Sequence, residues 1–438
     1  CEGMLSTSTM TELILKPITA IRLECPTAAN VFAFIRNHQL YSIDRAEANT
    51  YADLFRFLNS GFAVLVLDGA DSALVFGIQG YDKRSVSEPS GEDNVMGAKD
   101  GFIEVVRVNM SLLRRRMKTP QLKLELFVKG SKSQTDLCLC YMADRVPKSL
   151  IAQIKARLDE MELESILSSG YLQPFLENRR GCLFDTVGTT QRPDVLCAKL
   201  LEGRVGLLID GTPFALVIPK LFCESFQTMD DYCYRPAYAT LVRWIKYAAF
   251  LVAVLLPALY VAIALHHPEL LNRTLLLILA DAEENAPISL TAEAIGVLLV
   301  YEIIREAGLR LPKAVGGAVS IVAGLIIGDA AVASGLISTP MLTVTAIAVI
   351  AGFVVPDLAQ SITLLRLAFL LIAGFWGLFG ISLLGAAVLF NLCAGESFGF
   401  PITAPIAPLY QKGFRDTLTR VSFRKMQSGS FTVEEYHE

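Results

Sequence analysis

The stretch Tyr247-Ala-Ala-Phe-Leu-Val-Ala-Val-Leu-Leu-Pro-Ala-Leu-Tyr-Val-Ala-Ile-Ala-Leu265 decides how the chain divides. It contains no charged residue and has about the 20-residue length that a helix needs to cross a bilayer. Just before it, Arg243-Trp244-Ile245-Lys246 forms the basic and aromatic collar expected at a membrane interface. From Tyr247 to Ala394 the chain carries five apolar stretches separated by short polar turns, whereas the part before them reads as an ordinary soluble protein. The expected fold is therefore an α+β N-terminal head followed by an all-α polytopic membrane domain.

Composition agrees. Across 438 residues, 53% are hydrophobic and 19% charged, and the mean hydropathy is +0.46, too apolar for a wholly soluble chain. A net charge of -4 gives no basic field for nucleic acid. Nine cysteines with no CxxC pair argue against a disulfide framework or a zinc site and for a reducing compartment. Cys138 and Cys140 fall on one face of an alternating strand and read as packing. Four scattered histidines and the lack of a glycine-rich phosphate loop leave no nucleophile system or cofactor site. No metal site and no catalysis are expected. The first forty residues lack a signal-peptide pattern, and the absence of an initiating Met points to a trimmed N-terminus.

Within the head, Gly61-Phe-Ala-Val-Leu-Val-Leu-Asp68-Gly69 followed by Ala73-Leu-Val75 matches Gly203-Arg-Val-Gly-Leu-Leu-Ile-Asp210-Gly211 followed by Ala215-Leu-Val217, in register. Each copy reads as a β-hairpin turned at Asp-Gly, so two related α/β subdomains are expected. Asp68 and Asp210 read as turn formers. A helix over Phe102–Met117, strands over Leu122–Val128 and Asp136–Met142, and a helix over Pro147–Leu167 lie between the copies. The expected boundaries are an N-terminal segment 1–50, subdomains 51–145 and 146–235, a membrane domain 236–394 with four to six segments, and a tail 395–438.

After the first span, Leu270–Ala280 is too short to cross and reads as interfacial or re-entrant. Further spans are expected over Ile288–Ile304, Ala314–Ser338 and Met341–Val355. The last block, Leu364–Ala394, would be roughly 46 Å long as one helix, against a core of about 30 Å. Gly374, Gly377, Gly380 and Gly385 leave open a helical hairpin or a tilted, kinked helix. Short-loop basic residues put the head inside, and Lys412 to Lys425 put the tail inside only if that last block returns on itself.

Charges inside spans mark function because each costs on the order of 2.5–3.5 kcal/mol at a helix centre. The pore or gating candidates are Asp329, among small residues and expected at a helix–helix seam, with Glu302 and Glu293. The last two lie nine residues apart, about 180° around a helix, so one is free to line a pore while the other pairs with Arg305 or Arg310. Arg114-Arg115-Arg116 at a helix end reads as a solvated cap, or as a docking patch for headgroups or a partner subunit.

Several ordered motifs resemble one known family, the A subunits of GerA-type spore germinant receptors. They include Arg84 with Glu88-Pro89, Gly101-Phe102-Ile103-Glu104, Asn109 with Arg114-Arg115-Arg116, Arg192-Pro193-Asp194 and Glu202-Gly203-Arg204. Asp210-Gly211-Thr212-Pro213, Asp231-Tyr232, Pro257 with Tyr260-Val261, Glu302 to Gly308, Arg310-Leu311-Pro312, Gly328 with Ala330-Ala331-Val332, Ser397-Phe398-Gly399 and Pro405 to Pro408 continue the series. The chain departs from the family pattern at Met96-Gly97-Ala98, Gln191 and Asp329. The resemblance implies a multi-pass subunit in the spore inner membrane, with its head facing the cytoplasm or spore core. It would act with B and C subunits, oligomerise into a germinant-gated channel for monovalent cations, and leave the small-molecule germinant mainly to a partner. The alternatives from another class are a non-conducting membrane adaptor or a secondary transporter.

Overall fold

The computed structural model describes residues 7–20, 22, 27–37, 45–59, 62–78, 85–89, 91–92, 94–177, 181–284, 287–311, 328–409 and 413–426. It is a mixed α and β N-terminal region followed by a helical C-terminal region.

Both Asp-Gly sequences turn antiparallel hairpins. β2 (Ala63–Leu65) pairs with β3 (Ala73–Phe76) through Gly69 at φ 82°, and β7 (Val205–Ile209) pairs with β8 (Ala215–Ile218) through Gly211 at φ 87°. Glycine reaches that left-handed region without steric cost. The first hairpin joins β1 (Arg45–Ala48) in a three-stranded sheet ordered β1-β3-β2.

The second hairpin sits in a larger antiparallel sheet ordered β4-β5-β7-β8-β6, with β4 (Leu122–Lys129), β5 (Thr135–Met142) and β6 (Gly188–Thr190). The boundary expected between 145 and 146 therefore cuts through one sheet, because β5 pairs with β7 along Leu137–Ile209 to Cys140–Gly206. Side-chain alternation divides the sheet's residues between two cores. Leu137, Leu139, Leu207, Ile209 and Leu216 face the helix Lys148–Asp159. Cys138, Cys140, Leu208 and Val217 face the helices Val106–Arg116 and Pro193–Leu201. Cys138 and Cys140 place their sulfurs 3.8 Å apart in that second core as buried free thiols. The helix Lys148–Asp159 stops short of the expected Leu167, and Met161 and Ile166 still pack into the first core.

In the C-terminal region, call α1 the helix Pro236–His266, α2 Arg273–Glu284, α3 Leu290–Arg310, α4 Thr339–Phe353 and α5 Ala359–Cys393. Two segments, Pro236–His266 and Pro356–Cys393, are long and apolar enough to cross a membrane, and α4 is a shorter apolar helix. α2 runs through Asp281 instead of ending at the acidic residues, and α3 extends to Arg310 beyond the expected Ile304. The span expected over Ala314–Ser338 falls largely outside the described residues. Ala253, Ala258 and Ala262 make a small-residue face of α1 against Ile362, Leu365, Phe369 and Ala373 of α5, allowing close approach of the two helices.

The long block α5 is a hairpin of two helical arms. Gly377, at φ 56° and ψ -143°, breaks the helix, and a Cβ placed on Gly380 would lie 3.0 Å from the carbonyl oxygen of Ile372. Eight residues of uninterrupted helix would separate those positions by about 12 Å. Both ends of the block meet the same residue: Ser361 Oγ donates to the Leu183 carbonyl at 2.6 Å, and Asn391 Oδ1 accepts from the Leu183 N–H at 3.1 Å. The bend lies against the far end of α1, with His266 Nε2 2.9 Å from the Gly374 carbonyl.

Candidate functional site

The head meets the helical region through buried charge. The helical turn Asp230–Cys233 supplies Asp231, which accepts from Arg243 Nε at 3.0 Å and is paired with Lys246 Nζ at 3.4 Å. Arg243 and Lys246 are one turn apart on α1, so one face presents both cations. The C-terminal segment closes the cluster. Asp416 takes Arg243 Nη1 at 3.1 Å and the Tyr232 hydroxyl at 2.7 Å, while its carbonyl accepts from Gln227 Nε2 at 2.7 Å. Arg420 lies over the Tyr232 ring at 5.5 Å and donates its main-chain N–H to Thr240 Oγ1 at 3.0 Å. Arg243 is 0% exposed and Asp231 1%. Charges so buried persist only when paired. Burial and the Asp416 carboxylate push the Tyr232 phenol well above its usual value.

A second network lies behind the first. Arg204 donates to Glu224 Oε2 at 2.6 Å and to the Pro219 carbonyl at 2.8 Å, and Lys199 reaches Glu224 Oε1 at 2.9 Å. Burial pushes the Glu224 carboxyl up, but Arg204 and Lys199 outweigh it and hold it down to about 2. A folded value below the unfolded one stabilises the fold above about pH 4.5, and this contribution is lost as pH falls toward 2. Its size is on the order of 3 kcal/mol. Glu224→Gln should therefore lower the thermal midpoint at pH 7 by roughly 10 °C and flatten its dependence on pH between 5 and 2. An unchanged acid limb in the variant would contradict this reading.

The loop before Gly101 is tied to the same junction. Glu92 accepts from the Thr190 hydroxyl at 2.8 Å and the Gln191 N–H at 3.0 Å, and burial raises its carboxyl despite both bonds. The Val95 and Met96 N–H groups donate to Asp230 at 3.1 and 2.8 Å. These are main-chain bonds, so the departure at Met96 leaves this attachment intact. Gln191, the second departure, accepts from the Gly91 N–H at 3.3 Å.

The sequence candidates separate. Glu293 is 1% exposed, and its Oε1 accepts from both the N–H (2.6 Å) and the hydroxyl (2.7 Å) of Ser338. Ser338 precedes the first turn of α4, where negative charge is favoured. Glu302 pairs with Arg305 at 2.6 Å and Arg366 at 3.3 Å, and accepts from Thr363 Oγ1 at 3.0 Å. Arg310 instead pairs with Glu306. Asp329 is exposed, on a helical stretch over 328–333, so within one chain it does not occupy the buried seam expected of it. In the triplet, Arg115 and Arg116 both pair with Asp100, and Arg114 donates to the Thr119 carbonyl in the turn beyond the helix end. Asp210 does more than turn a hairpin: its Oδ1 accepts from the Val106 N–H at the start of the helix Val106–Arg116, 104 residues earlier in the chain.

Sequence reading missed the role of the junction because the Asp231 and Asp416 carboxylates meet on Arg243, 173 residues before Asp416. The signal present was Asp231 upstream of the Arg243/Lys246 pair, which reads equally well as an interfacial collar.

The sequence matches the family described as Bacillus/Clostridium GerA spore germination protein over residues 1–430. Spore germination protein KA of Bacillus subtilis (strain 168) is 39% identical over 371 residues, 84% of this chain and 68% of its own. The uncharacterized membrane protein YfkQ of the same organism is 38% identical over 84% of this chain and 72% of its own. The crystal structure of the N-terminal domain of the A subunit of the Bacillus megaterium spore germinant receptor GerK3 matches 28% of this chain and 97% of its own at 38% identity, with a TM-score of 0.24.

Proposed function

Because this chain belongs to the Bacillus/Clostridium GerA spore germination protein family, we propose that it is the A subunit of a nutrient germinant receptor in the spore inner membrane. In this reading it works with B and C subunits, and copies of it assemble into a germinant-gated pathway for monovalent cations. The germinant is bound mainly by a partner, and no reaction is assigned to the chain.

The observation that carries the pathway is the different fate of the three carboxylates. Glu302 is neutralised by arginines and Glu293 caps a helix, so both act within one chain. Asp329 is left exposed beside small residues in a helical region whose surface is largely aliphatic. If that region crosses a bilayer, such a carboxylate needs water or a neighbouring subunit. A ring of such residues around an assembly would supply both and would select cations.

The membrane reading draws on two long apolar segments, the helix Pro236–His266 and the hairpin within Pro356–Cys393, whose most apolar windows are only 39% and 28% buried, whereas the core helix of a soluble protein is mostly covered. It also draws on the name of the relative YfkQ.

Cation flux into liposomes containing the protein with its partner subunits tests the proposal. Germinant should open a flux in the parent, and Asp329→Asn should reduce it several-fold while expression and chain size stay unchanged. Absence of flux in the complete, germinant-treated complex would favour the adaptor reading.

A further inference from the structure

The cluster around Glu302 is not electrically closed. Two guanidiniums, Arg305 and Arg366, stand against one carboxylate and leave a net charge of +1. The next acid along α3, Glu306, is occupied by Arg310 at 2.6 Å. Arg366 is 3% exposed, yet its Nη1 has no acceptor among the described residues, and neither does Arg305 Nε. An unpaired donor on a buried charged group is costly. Both of these atoms are buried, and Arg366 also lies over the Tyr301 ring at 5.7 Å; among the described residues the excess positive charge has no counter-charge, and Arg305, about a third exposed, is the point at which an anion can balance it.

The surroundings indicate its source. Leu299 and Leu309 are exposed on the same face of α3 as Glu302, so the cluster is flanked by aliphatic surface. The cluster also lies near the head end of the helices, since Arg366 is little more than one turn from Ser361, which binds Leu183. Arg305 is about a third exposed, with a side chain long enough to lift its charge toward an interface.

We propose that Arg305 and Arg366 form a binding site for the phosphate of an anionic phospholipid, with the acyl chains lying along Leu299 and Leu309. The fork of a guanidinium fits two phosphate oxygens. The bound phosphate would complete the charge of the staple between α3 and the first arm of α5, making their packing dependent on lipid. The inference rests on the membrane reading given above.

The test uses the purified full-length chain in neutral detergent with phosphatidylglycerol, phosphatidylcholine or sodium phosphate. Thermal midpoint and native mass spectrometry are the readouts, on the parent, Arg305→Gln and Arg305→Lys. Phosphatidylglycerol should raise the parent's midpoint and remain bound, with roughly tenfold weaker retention in Arg305→Gln and an intermediate loss in Arg305→Lys. Phosphatidylcholine and sodium phosphate should have no such effect. Equal retention by parent and Arg305→Gln, or equal effects of the two lipids, overturns the site. A shift produced by sodium phosphate alone overturns the lipid source. A change of oligomer size in Arg305→Gln without lipid overturns the proposal in favour of an acceptor on a second copy. Association of the parent with phosphatidylcholine vesicles tests the membrane reading separately: its failure defeats that reading, whereas selective lipid loss concerns only this site.

Discussion

Arg243→Met should destabilise the full-length protein by about 3–5 kcal/mol, because it removes the fully buried guanidinium that bridges the buried Asp231 and the partly exposed Asp416. Arg243 connects Asp231 of the head, its own helix and Asp416 of the C-terminal segment. Lys246 remains beside Asp231 in the variant, but Asp416 keeps only the Tyr232 hydroxyl and its main-chain bonds. The segment 413–426 should then become accessible to protease before the sheet does. Asp416→Ala should cost less, since its side chain is 26% exposed. Limited proteolysis with thermal unfolding checks both; equal losses in the two variants would show that Arg243 is not the centre of the junction.

Gly377→Val should be comparably severe. Its backbone, at φ 56° and ψ -143°, lies where a side chain is strained by about 1–3 kcal/mol. A Cβ there would also sit 2.9 Å from the Cβ of His266, a contact that forces the helix end away from the bend. Spin labels at positions 361 and 391 provide the measurement. In the hairpin both positions lie beside Leu183. An unbroken helix would hold them about 45 Å apart at 1.5 Å per residue. A short distance in the parent that lengthens in Gly377→Val is expected, and a long distance in the parent would refute the hairpin.

Local chemistry was readable from the sequence. Asp68-Gly69 and Asp210-Gly211 announced their hairpins because a positive φ is a property of single residues. The pairing of β5 with β7 was not readable, because alternation fixes which faces are apolar but leaves open which strand lies alongside. The same limit applied to the charges. Glu302 was recognised as costly and Arg305 as a partner within reach, yet Arg366 is 64 residues away and enters only because α5 packs on α3. Asp329 was expected in a seam from its small neighbours. The single chain leaves it exposed, since small residues favour close approach without specifying which helix approaches. The choice between a kinked helix and a hairpin depended on Gly377, one of four glycines that composition alone does not distinguish.

The stapling of residues 413–420 onto Tyr232 and Arg243 has a consequence for sidedness. The block that leaves and re-enters at Leu183 brings its two ends to one place, and the chain beyond it is bonded directly to the head. Reporter fusions following residue 426 and preceding residue 7 should consequently report the same compartment.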